Sequence, residues 1–98
     1  MVVSTNSGQF SDRVGTRAIP VATRRRLGAE IRRRRVATGL SQRALGMPMT
    51  RAYVSAVELG HICPSLPSLV LFARRLGVPV SQLLTTLDDG SDSPGPEA

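Results

Sequence analysis

Helix-ending residues recur at short intervals in the middle of this chain, and nowhere there do apolar and polar residues alternate over the length a half-buried strand needs. Gly39, the pair Gly46 and Pro48, Gly60 and Gly77 divide the region between Thr23 and Leu87 into helix-sized pieces. Side chains suited to N-caps stand at the start of most pieces. Thr23 is placed to cap a helix over 24–38, with Leu27, Ile31 and Arg34 on one face and Gly39 ending it. Ser41 precedes Gln42, Arg43, Ala44 and Leu45, a second helix that Gly46 and Pro48 cut short. Thr50 heads a third over 51–59, with Val54 and Val57 inward and Gly60 closing it. Ser65 heads a fourth with Pro67 in its first turn, a stripe of Leu66, Leu69, Phe72, Ala73 and Leu76, and Gly77 at its end. A last helix over 80–87 would bury Leu83 and Leu84. The expected class is all-α, a compact five-helix domain.

The ends of the chain do not extend this pattern. Residues 1–22 mix Ser, Thr, Gly and Asn with arginine, and residues 88–98 hold no apolar anchor, so both are expected to be disordered. The partition is a basic arm at 1–22, a helical domain at 23–87 and an acidic tail at 88–98. Roughly 65 residues remain to build a core, near the lower limit for folding alone, so a second copy would help and an enclosed active site has little room.

Charge narrows the partners. All thirteen basic residues are arginine, nine of them before Gly39, while four of the seven acids fall in the last eleven residues. A basic front implies a polyanion, although an arginine-rich helix face can also be simply solvated. Only Phe10, Tyr53 and Phe72 are aromatic, too few for the stacking platforms of single-stranded RNA binders. No Trp or Phe lies beside the arginines to anchor a membrane surface. Cys63 is the sole cysteine, the longest apolar run is 69–73, and no signal pattern opens the chain, so the expected location is the cytoplasm.

The segment from Ser41 to Gly60 carries most of the functional information. Two short helices joined by a tight turn allow the second to enter the major groove while the first crosses the backbone. Ser41 and Gln42 open the first helix, where free N–H groups favour a phosphate. Thr50, Arg51 and Ala52 open the second, and Arg51 is a bidentate donor at a position from which a guanine edge is in reach.

Leu27, Ile31, Arg35, the run 39–42, Leu45, the run 53–55, Glu58, Gly60, the run 64–66, Leu69, Ala73, the run 76–78 and Leu83 with Leu84 together resemble the lambda-repressor-like (XRE) helix-turn-helix family. That resemblance implies a transcription regulator that binds double-stranded operator DNA, usually as a homodimer, with no enzyme activity and no cofactor or metal. It implies that Gln42 bonds a phosphate, with Arg43 in the same DNA-binding set. Thr50, Arg51, Ala52, Ser55 and Ala56 would face the DNA, Arg51 as main base reader, and Tyr53 and His61 would touch backbone phosphate. Arg35 and Glu58 resemble a family ion pair between the first and third helices.

This chain departs from the family in two places. The spacing between 41–42 and 53–55 is two residues shorter than usual, with Met47, Pro48 and Met49 where a turn glycine is expected, and Arg34 stands where the family more often has an apolar residue. Glu58, His61 and Cys63 lie close in sequence but lack the further ligands of a closed zinc site or the partners of a nucleophile. The rival reading is a protein-binding adaptor or antitoxin, for which Val70 and Leu71 would supply a partner surface; the same pair is expected at a homodimer interface.

Overall fold

A computed structural model describes residues 19–88. Of the arm and tail expected at 1–22 and 88–98, all but residues 19–22 and Asp88 lie outside the described residues. The order of elements is α1 (Val21–Thr38), α2 (Gln42–Gly46), α3 (Arg51–Glu58), α4 (Leu66–Leu76), α5 (Val80–Leu84) and a closing 3₁₀ turn (Thr85–Leu87). Among the described residues every regular element is helical, and no helix is long and apolar enough to cross a membrane.

The boundaries follow local chemistry. Ser41, Thr50 and Ser65 each accept a bond from the backbone N–H three residues on, at 2.9, 3.1 and 3.2 Å. At the other ends, Gly39 and Gly77 take left-handed φ values of 83° and 75°. There the N–H of Leu40 reaches Arg35 O at 3.1 Å and that of Val78 reaches Ala73 O at 3.0 Å, the two-bond closure that only glycine makes without strain. The first helix departs from expectation. Thr23 does not cap it; Pro20 holds the N-cap position in extended conformation and the helix starts at Val21. Thr23 lies one helical step of four before Leu27, and burial of its side chain outweighs a capping role.

The core is built by Leu27 and Ile31 from α1, Leu45 from α2, Val54 and Val57 from α3, Leu69, Phe72, Ala73 and Leu76 from α4, and Leu83 from α5. Helix α1 packs against α3, α4, α5 and the 3₁₀ turn, while α2 packs between α3 and α4. Three inward assignments are corrected. Leu66 and Leu84 are exposed, because each stands at a helix end where neighbouring helices no longer cover it. The inward row of α1 continues through Arg35 rather than Arg34, whose guanidinium instead bonds Glu30 at the surface.

The approach of α1 to α3 is close enough to need glycine. A Cβ on Gly28 would lie 2.5 Å from Glu58 O and closer still to Val57 O, and one on Gly60 would strike the backbone of Arg25. Arg24 fastens the same contact, donating from Nε to Gly60 O at 3.1 Å and from Nη1 to Ile19 O at 2.8 Å. Gly28→Ala is expected to lower stability by about 3 kcal/mol or more, because the obstacle is backbone and cannot rotate away. Gly39→Ala meets no neighbouring atom and should cost only the strain of its φ, about 1–2 kcal/mol. Thermal denaturation compares the two; equal losses would refute the close-approach argument.

Candidate nucleic-acid interface

The candidate site is organised around one buried ion pair. Arg35 on α1 grips Glu58 on α3 with two parallel bonds, Nε to Oε2 at 2.6 Å and Nη2 to Oε1 at 3.1 Å. The two side chains retain only 11% and 2% exposure. Arg35 Nη1 also donates to Leu40 O at 2.9 Å, in the α1–α2 connection, and Gln42 Nε2 donates to Glu58 Oε1 at 3.0 Å. Three helices and a loop are therefore tied to a single carboxylate. Burying charge is costly, and the fork-on-carboxylate geometry with the added bond from Gln42 is what offsets that cost.

Outside this anchor lies an open cleft lined by Arg32, Arg35, Ser41, Gln42, Arg43 and Arg51. A neighbouring depression is lined by Arg43, the turn residues 47–49, Thr50 and Arg51, so Arg43 and Arg51 belong to both. Arg43, Arg51 and Ala52 are exposed, and Ser55 and Ala56 are half-buried along the same outer side of α3. Thr50 is exposed while its hydroxyl caps α3. His61 is exposed in the loop beyond α3 and is not among the residues lining either depression.

Tyr53, for which the resemblance implied a phosphate contact, is half-buried and has its hydroxyl engaged within the protein. Its hydroxyl donates to Ser68 Oγ on α4 at 3.1 Å and receives the N–H of Ser65 at 3.4 Å. Ser68 Oγ in turn donates to Met49 Sδ at 3.2 Å. The phenol is drawn inward because the start of α4 and the α2–α3 turn together offer it polar partners. Gln42, expected at a phosphate, spends one amide hydrogen on Glu58.

The arginine run 32–35 is divided by its acids. Glu30 holds Arg33 through Nη2 at 2.6 Å and Arg34 through Nε. The hydrogen bond from Arg33, opposed by partial burial and reinforced by Arg34, keeps the Glu30 carboxyl below its ordinary value. Arg35 turns in to Glu58. Arg32 alone of the four lines the cleft without a carboxylate partner among the described residues. Its spacing of three from Arg35 puts both on one side of the helix.

The fold does not bring Glu58, His61 and Cys63 together as a ligand group. Among the described residues no group of three or more His, Cys, Asp and Glu side chains could hold an ion. Glu58 is committed to Arg35 and Gln42, and burial pushes the Cys63 thiol up, away from a reactive thiolate.

The sequence profile of the helix-turn-helix family matches residues 31–83, more than half of the 98-residue chain and most of the described helices. The chain belongs to the lambda-repressor-like helix-turn-helix family. A search of curated proteins gives no match. This domain is that of a DNA-binding regulator of the helix-turn-helix kind.

The anchor makes a quantitative demand. Glu58→Ala should lower unfolding free energy by about 3–5 kcal/mol, because it strands the Arg35 charge, whereas Arg35→Met combined with Glu58→Leu should recover most of the loss. Chemical denaturation of both variants measures this. A loss from Glu58→Ala no greater than that of the double variant would show the pair to be unimportant.

Proposed function

We propose that this helix-turn-helix domain is a sequence-reading, double-stranded-DNA-binding transcription regulator that presents α3 to the major groove. The observation that supports it best is convergence. The N-termini of α2 and α3 open beside one cleft, and Arg32, Arg43 and Arg51 from three helices line it. Arg51, at the first position of α3, is the base reader, suited to the paired acceptors of guanine. Ala52, Ser55 and Ala56 are small enough for the helix to lie deep in the groove, and Thr50 borders the same face. Arg32, Arg43 and the second amide hydrogen of Gln42 take phosphates, with His61 at the margin. With one long side chain on the reading face, affinity comes chiefly from arginine–phosphate contacts and discrimination is modest.

The domain works as a homodimer in the cytoplasm, on half-sites about 34 Å apart. Leu66 and Val70, four residues apart on α4 and both exposed, supply an apolar row for the second copy. Leu71, half-buried, contributes less than the sequence implied.

Selection from a random duplex pool at two salt concentrations, with Arg51→Ala alongside, tests this reading. Enrichment of a palindromic site that Arg51→Ala abolishes is the expected result. Binding that enriches no sequence and falls steeply with salt would leave a backbone binder only. Absence of binding at either salt would favour an adaptor or antitoxin built on the same fold.

A further inference from the structure

Helix α2 has five residues, and the carbonyls of its last turn need donors that a longer helix would supply itself. Arg43 O accepts from Met47 N at 3.0 Å, and Gly46 O accepts from Met49 N at 2.6 Å. Ala44 O would take its regular bond from the N–H of residue 48, but Pro48 has none. Leu45 O would take its bond from Met49, whose N–H is already turned to Gly46 O. Both carbonyls are met by one side chain from another helix. Arg75 Nη1, in the last turn of α4, donates to Ala44 O at 3.2 Å and to Leu45 O at 3.1 Å. The cation also stands at the negative end of α2, where its charge is favourable.

We infer that Arg75 is a positioning residue for DNA docking: it supplies from α4 the donor that Pro48 removes, and so sets the tilt of α2 against α3 from outside the shortened turn. The inference rests on the DNA-binding reading above. The turn keeps a backbone bond of its own, Met49 N–H to Gly46 O, but with proline inside it Ala44 O and Leu45 O are left without backbone donors. A guanidinium shared between those two consecutive carbonyls supplies what is missing. Arg74 is the natural control, since it carries the same charge one residue earlier, is exposed, and makes no such bond among the described residues.

The test uses the full chain and three variants, Arg75→Ala, Arg74→Ala and Arg75→Lys, with affinity for the selected duplex measured across a salt series and amide hydrogen exchange followed at Met47 and Met49. Arg75→Ala should weaken binding about tenfold more than Arg74→Ala, the scale of a hydrogen bond to a charged group. Its salt slope should match that of Arg74→Ala, the turn amides should exchange faster, and Arg75→Lys should recover most of the affinity. Equal affinities for the two alanine variants would overturn the inference while leaving DNA binding intact. A slope lower by about 0.9 for Arg75→Ala alone would also overturn it, by showing that Arg75 touches phosphate directly. If the wild-type chain binds no duplex, the DNA-binding reading has failed first and the docking role falls with it.

Discussion

The Glu58 carboxylate, sealed at 2% exposure beneath the guanidinium of Arg35, is the point to which α1, α2 and α3 are fixed. Its partners arrive from α1, through Arg35, and from α2, through Gln42, while Arg35 also holds the carbonyl of Leu40 between them. A buried carboxylate tolerates few geometries, because each lost bond leaves charge unsolvated in a medium of low polarity. The pair therefore selects one relative arrangement of three helices, which greasy contacts alone would permit to slide. Gly28 serves the same arrangement by letting α1 descend onto the last carbonyls of α3.

The opposite side of the motif is held by different chemistry. The α2–α3 turn is short and contains proline, and its stability is drawn from α4. Arg75 meets the carbonyls at the end of α2, and the hydroxyls of Tyr53 and Ser68 lead to Met49. The loss of backbone donors in the turn is matched by side-chain donors from a helix some thirty residues away in sequence. Tyr53 and Arg75 thus both bond across to neighbouring helices, Tyr53 to α4 and Arg75 to α2.

Charge on this surface is also less uniform than its composition implies. Four consecutive arginines on α1 resolve into two held by Glu30, one buried against Glu58 and one at the cleft. Surface pairs such as those of Glu30 add little stability, but they lower the charge available to a polyanion. The positive field at the cleft comes from single arginines contributed by separate helices rather than from one continuous basic stripe.

Most of the helix map was legible in the residues. Ser41, Thr50 and Ser65 begin helices and Gly39 and Gly77 end them, because caps and left-handed closures act within four or five residues and are written in local order. The apolar spacing of Leu27 with Ile31, Val54 with Val57, and Leu69 with Phe72 and Leu76 likewise named core positions before any packing was known. What only the tertiary structure decided is which polar side chains turn inward. Thr23 went to the core instead of a cap, Tyr53 to Ser68, Gln42 to Glu58 and Arg75 to α2. Each has more than one satisfactory hydrogen-bonding environment, and the choice depends on donors and acceptors brought close by chain segments distant in sequence. Local order determines where this chain is helical; the assembled helices determine which of its arginines line the open cleft.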